Sequence, residues 1–178
     1  METMTTSIIL PFLVFFPFLG AVISYIIGRS NKGARDIWCW ILSAVIFIAS
    51  LTLIGKETVY SLRGFCGLGL SFAADGFGVI LAVLTGAIWL ITTIFSKEYM
   101  AAERNRNRYY FFVFLTLGAT MGIFLSADLF TTFIFFEIMS FTSFVLVMHD
   151  EEDFTVRSAK TYLAVAVIGG LVTLMGLF

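Results

Sequence analysis

Residues 126–147 read SADLFTTFIFFEIMSFTSFVLV, and this stretch decides what kind of chain this is. A spanning helix needs about 20 mostly apolar residues at about 1.5 Å of rise each. Residues 128–148 meet that length, and after Asp128 at the start the one charge is Glu137. Ser126 and Asp128 stand just in front of the apolar run, where short oxygen-bearing side chains cap a helix start. A span this apolar with one acid at mid-depth reads as a membrane helix that carries a functional group.

Working outward, five more segments have the same character: 7–28, 36–54, 74–95, 109–125 and 155–178. The fourth span is the shortest, and almost nothing joins it to the fifth, so the two form a tight helical hairpin. The expected fold is all-α: a polytopic transmembrane helix bundle of about six spans. One transmembrane domain covers residues 1–178. Between the second and third spans, residues 55–73 hold Gly64, Gly67 and Gly69 and an apolar run into the third span. That connection reads as an extended or hairpin segment on the outer face.

The whole composition agrees. Of 178 residues, 60% are hydrophobic and 13% charged, against about a quarter charged in an average soluble domain. Mean hydropathy is +0.99. Too few polar residues are present to cover a soluble surface, which excludes a soluble enzyme, a nucleic-acid module and a disordered chain. The 21 Phe and 6 Tyr suit a surface that faces lipid. A net charge of −1 implies no bulk attraction to nucleic acid. Cys39 and Cys66 make neither a disulfide framework nor a zinc-ligand set and read as unpaired thiols.

The first span is not read as a cleavable signal: no Lys or Arg precedes it, and it exceeds a signal core in length. Pro11 and Pro17 in its first half are expected to kink it. Orientation follows from the basic residues. Arg29, Lys32, Arg35, Lys97, Arg104, Arg106, Arg108, Arg157 and Lys160 fall on one side, and only Lys56 and Arg63 on the other. That bias places the larger set in the cytoplasm and both termini outside.

Glu137 is the main candidate for chemistry. By helical rise it lies roughly 14 Å from the outer end of its span, near the middle of a hydrocarbon core about 30 Å thick. A carboxylate there costs at least about 2.5–3.5 kcal/mol. A group that exchanges between protonated and ionised forms is what a proton relay needs. The alternative is a protonated glutamate hydrogen-bonded to a neighbouring helix. Ser140 and Ser143 follow at three-residue steps on the same face and could hold water toward the inner side. Lys160, near the start of the sixth span, either snorkels to the inner interface or turns inward toward a carboxylate. His149 ends the fifth span as an interfacial residue or a further relay point. Gly118 and Gly122 form a GxxxG that favours close helix packing. Asp75 and Asp128 read as caps, and the acidic run 150–153 as a solvated turn. No Walker loop, nucleophile elbow, HExxH or CxxC cluster is present, so no catalytic centre, cofactor or metal site is expected.

Three stretches together resemble a known family: residues 67–100, GLGLSFAADGFGVILAVLTGAIWLITTIFSKEYM; the Gly- and Thr-bearing span 109–125; and 126–147. They are similar to the antiporter-like membrane subunits of respiratory complex I, Mrp-type cation/proton antiporters and membrane-bound energy-converting hydrogenases. The Asp-Gly entry to the third span, the Ser-x-x-Tyr-Met exit and the Phe-Phe-Glu of the fifth carry the resemblance, which runs over the whole chain. It implies that Glu137 is the fifth-helix glutamate of an ion-translocating half-channel, where it pairs with a seventh-helix lysine. It implies that Lys160 matches a lysine near the start of the sixth helix. Full members carry about fourteen spans built on inverted repeats. These 178 residues reach only the sixth, so the chain reads as a short or split subunit, or a truncated product.

The expected function is therefore a proton- or sodium-translocating antiporter-like subunit of a multi-subunit membrane redox or antiporter complex. Its partners would be other membrane subunits, including a chain that supplies the missing antiporter helices, and the lipid bilayer. Its place would be the cell membrane or an equivalent energy-coupling membrane, multi-pass, with the N-terminus outside. The alternative is a structural spacer or assembly subunit with no translocation of its own. A membrane enzyme with its own active site is the third class, and the residues supply no constellation for it.

Overall fold

A computed structural model of the chain describes residues 5–62, 69–102, 105–149 and 151–177. Six long helices account for most of it: α1 (Ile9–Ser30), α2 (Lys32–Leu51), α3 (Gly76–Tyr99), α4 (Arg106–Phe124), α5 (Leu129–Val147) and α6 (Asp153–Leu177). A small sheet holds β1 (Thr5–Thr6), β2 (Thr58–Leu62) and β3 (Leu70–Ala74) in spatial order β1-β2-β3. β2 and β3 pair antiparallel with Tyr60 opposite Phe72, and β1 lies parallel to β2. Cys66, Arg63, Gly64, Gly67, Arg104 and Asp150 lie outside the described residues.

Five of the helices are long and apolar enough to cross a membrane. The other is α4, and its position explains its composition. α4 packs against α1, α3 and α5 at the centre of the bundle. Ten of its residues are buried, including Thr116, Thr120, Gly118 and Gly122, so it meets protein where the other helices meet lipid. At 19 residues it is about 28 Å long, close to the thickness of a hydrocarbon core. The outer helices show the reverse pattern. On α3, Phe77, Ile80, Leu84, Ile88, Ile91 and Phe95 are all exposed at helical spacing, a stripe stable only against lipid or another apolar surface.

Small residues set the close approaches. A Cβ at Gly118 would stand 2.9 Å from the Val14 carbonyl oxygen of α1 and against the Phe18 ring. A Cβ at Gly122 would run into the Phe135 ring of α5. The two glycines therefore serve different neighbours, one on each flank of α4. Three tryptophans tie the helices at their edges. The indole N–H of Trp38 donates to the Gly20 carbonyl (3.1 Å), that of Trp40 to Thr93 (3.3 Å) and that of Trp89 to Val113 (3.0 Å).

Helix boundaries depart from the sequence reading on the basic side. The expected loop 29–35 is a single-residue turn. The Asn31 side chain accepts from the N–H groups of Gly33 (2.9 Å) and Ala34 (3.1 Å), so α2 begins at Lys32, four residues before the expected start at Asp36. The expected loop 96–108 is mostly helical as well. α3 continues to Tyr99, a 3₁₀ turn spans Met100–Ala102, and α4 begins at Arg106. In both places charged residues occupy helix ends without breaking the helix: Lys32 and Lys97 are exposed there, and Arg35 and Arg106 pair with Asp36. Pro11 and Pro17 both lie in a continuous α1. Pro11 falls in the first turn, where its missing N–H has no helical acceptor to lose. Pro17 is buried in the helix interior.

Candidate functional site

The outer end of α5 is set by Asp128. Its Oδ1 accepts from the Thr131 backbone N–H (2.7 Å) and its Oδ2 from the Thr131 hydroxyl (2.8 Å). The same Thr131 oxygen accepts from the Ser71 N–H of β3 at 3.0 Å. Two backbone bonds, Ala73 N–H to the Leu125 carbonyl and Ala127 N–H to the Ser71 carbonyl, both 2.8 Å, fasten the α4–α5 turn to β3. The sheet thus acts as a clamp on the entry to α5. Asp75 caps α3 from the other end of β3 through Gly78 N–H at 2.8 Å. Thr131, which sequence reasoning did not single out, links the cap to the sheet.

From this fixed end the helix carries Glu137 nine residues inward, about 13.5 Å along the axis. Glu137 is half-buried, and its Oε1 is fully buried with no hydrogen-bond partner among the described residues. The carboxyl group lies against Gly170 of α6. A Cβ at Gly170 would stand 2.7 Å from Glu137 Cδ and closer still to Oε1, so glycine there makes the space for the acid. Gly170 is one of only two buried residues on α6. An orphaned carboxylate oxygen at membrane depth is costly, and such groups mark functional sites or an unseen partner.

The other sequence-derived candidates do not gather around Glu137. Lys160 is exposed on α6 and precedes Gly170 by ten residues, about 15 Å along the helix. The structure therefore does not bring its ammonium to the carboxyl. Ser140 is buried and donates to the Phe136 carbonyl at 2.9 Å. With Thr161, Tyr162, Val165 and Ala166 it lines a cleft of about 490 Å³ between α5 and α6. Ser143 is partly buried one turn further inward. His149 lies past the end of α5, its ring edge-on to Tyr109 with centroids 5.8 Å apart. Its carbonyl accepts from Arg108 at 2.8 Å.

Two polar groupings were not read from the sequence. Thr116 of α4 and Thr142 of α5 meet at 2.9 Å inside the α4–α5 interface, both buried. At the basic end, Arg35 is wholly buried. Asp36 Oδ1 accepts from Arg35 Nη2 (2.7 Å) and Nε (3.1 Å), and Oδ2 accepts from Arg106 Nη2 (3.1 Å). Arg35 also bonds Asn107 and lies 4.8 Å over the Tyr110 ring. Arg106 donates to the Lys97 carbonyl at 2.8 Å. This network ties α2, α3 and α4 together at one end. Gly28 permits it, since a Cβ there would press on Asn107 and Arg35. The signal available in sequence was the Arg-Asp pair beside the Arg-Asn pair at two helix starts, which positive-inside counting treats only as charge. Cys39 is a buried free thiol on α2.

The bundle thus carries an acid in mid-span, a capped hairpin and a sheet clamp at one end. Sequence and structure comparisons both find similar chains among the subunits of membrane complexes. The chain is homologous to Na(+)/H(+) antiporter subunit A1 of Staphylococcus aureus, 30% identical over 174 residues, covering 92% of this chain and 22% of that protein. The same subunit from strain JH9 is 29% identical over 173 residues, with the same coverage. The chain thus spans 22% of the length of the curated relatives it matches. Among solved structures, the archaeal membrane-bound sulfane sulfur reductase, a respiratory membrane complex, superposes with a TM-score of 0.85 at 16% identity. That match covers 96% of this chain and 36% of the other. The Mrp complex from Dietzia sp. DQ12-45-1b gives 0.70 at 23% identity, over 93% of this chain and 18% of the other. No family model matches the chain.

Proposed function

We propose that this chain forms the ion-translocating antiporter-like part of a multi-subunit membrane complex, with Glu137 as the group that binds and releases the proton or sodium ion. The observation that carries this reading is the Glu137 carboxyl itself: mid-helix, half-buried, packed on a glycine, with one oxygen lacking any partner among the described residues. The relatives that match over 92% of the chain are named Na(+)/H(+) antiporter subunits, which supports the ion class. In this reading Ser140, Ser143 and His149 carry the path from Glu137 toward the basic side. Lys160 supplies a cation on that path, nearer the basic end.

The helices α5 and α6 leave Phe136, Phe141, Val165, Ile168, Val172 and Met175 exposed. Further membrane helices outside these 178 residues cover that face and bring the countercharge to Glu137. The parent membrane is the cell membrane or its energy-coupling equivalent, and the N-terminus faces outside, because the basic residues collect at the other end.

Glu137→Gln in the assembled complex tests the reading. Gln keeps size and hydrogen bonding but cannot cycle a proton, so ion flux falls at least tenfold while assembly stays intact. Wild-type flux through an assembled Glu137→Gln complex would leave the chain a structural spacer.

A further inference from the structure

The basic end of the bundle holds a pocket that the translocation reading does not use. It is about 590 Å³, within the range of about 300–1,000 Å³ typical of ligand sites. It opens where the α1–α2 turn meets the start of α4. Lys32, Arg35, Arg106 and Arg108 all line it. Two carboxylates offset them: Asp36 binds Arg35 and Arg106, and the exposed Glu151 binds Arg108. Lys32 has no ion pair among the described residues, so the described lining keeps a surplus of positive charge.

Two further observations point to an anion. The Nε donor of Arg108 is buried with no hydrogen-bond acceptor among the described residues, while the Arg106 side chain meets the Tyr110 hydroxyl. The lining also includes Asn105, Arg106, Asn107 and Arg108, which are the N-cap and first three positions of α4. Asn105 makes no side-chain cap, so the first turn of a 19-residue helix presents its N–H groups and positive dipole end with no side-chain acceptor among the described residues.

The layering selects the kind of anion. Tyr25, Phe111 and Phe112 complete the wall, each about one helical turn deeper than Arg29 or Arg108. The Tyr25 and Phe111 rings pack edge-on at 5.7 Å. Cations at the helix ends over aromatic rings one turn deeper match a phosphate headgroup above the start of its acyl chains. Basic pockets between helices at the cytoplasmic boundary bind anionic headgroups. We propose that this pocket is a binding site for one anionic phospholipid of the leaflet on the basic side. Its phosphodiester would sit at the α4 N-terminus between Lys32, Arg106 and Arg108.

The test uses the 178-residue chain in mild detergent, with bound lipid counted by native mass spectrometry. The probes are phosphatidylglycerol, phosphatidylcholine and inorganic phosphate. Phosphatidylglycerol is expected to bind at least tenfold more tightly than phosphatidylcholine. Lys32→Gln should weaken that preference about fivefold, the worth of one basic residue at a membrane surface. Asn105→Asp places a carboxylate at the helix start; it should abolish the preference while leaving melting temperature equal or higher, because Asp is a good N-cap. Equal binding of the two lipids overturns the proposal. So does an undiminished preference in Lys32→Gln and Asn105→Asp chains that melt normally. Full displacement of phosphatidylglycerol by millimolar inorganic phosphate overturns it too, by making the pocket a small-anion site.

Discussion

Gly170 should be the most sensitive small residue on α6, and its neighbour Gly169 supplies the control. A Cβ at Gly170 meets the Glu137 carboxyl, whereas a Cβ at Gly169 meets nothing within 4 Å. Gly→Ala in a helix interior gains about 1 kcal/mol of propensity at either position. At Gly170 that gain is opposed by overpacking, which costs typically about 1–3 kcal/mol. Gly169→Ala should therefore be neutral or stabilising, and Gly170→Ala should lie about 1–3 kcal/mol below it. The opposing group is the end of a flexible side chain, so movement of the carboxyl relieves part of the clash and keeps the loss near the lower end of that range, about 1 kcal/mol. Truncating Glu137 removes the clash: the double variant Gly170→Ala/Glu137→Ala should recover the loss relative to Glu137→Ala alone. Thermal melts of the four chains in detergent close this cycle, and ion flux in the complex reports whether the displaced carboxyl still works. Equal melting of the Gly169→Ala and Gly170→Ala chains would refute the packing of Glu137 on α6 and the argument built on it.

Further outcomes follow from the same contacts. Asp36→Ala leaves Arg35 buried and unpaired and should cost about 3–5 kcal/mol, read as a large drop in melting temperature; an unchanged melt would mean the network is not formed. Asp128→Ala removes the α5 cap and the partner of Thr131, a loss of about 1 kcal/mol, with faster amide exchange confined to 128–132 as its signature. A cysteine at Asn105 should resist an impermeant thiol reagent in right-side-out vesicles and react once the membrane is opened; reaction from outside would reverse the orientation.

The local sequence determined much of this protein. Apolar runs about 20 residues long specify membrane helices whatever surrounds them, because an unsatisfied backbone in hydrocarbon leaves no other choice. Asp75 and Asp128 were legible as caps for the same reason: a cap acts within three residues of itself. Glu137 stood out because a charge in mid-span is costly wherever the helix packs.

What sequence could not supply was which faces meet. Gly118 and Gly122 look like one packing motif, yet one serves α1 and the other α5, since α4 is buried on both flanks. Lys160 read as either snorkelling to the interface or turning inward toward a carboxylate; α6 carries Gly170 at the Glu137 carboxyl and holds Lys160 about 15 Å away along its axis. Arg35 and Arg106 counted as loop charges until Asn31 was seen to start α2 early and draw Arg35 into the bundle. Caps and apolar length act through neighbours in the chain. The Glu137–Gly170 contact and the Arg35–Asp36–Arg106 network join residues from separate helices, so only the packing of the bundle decides them.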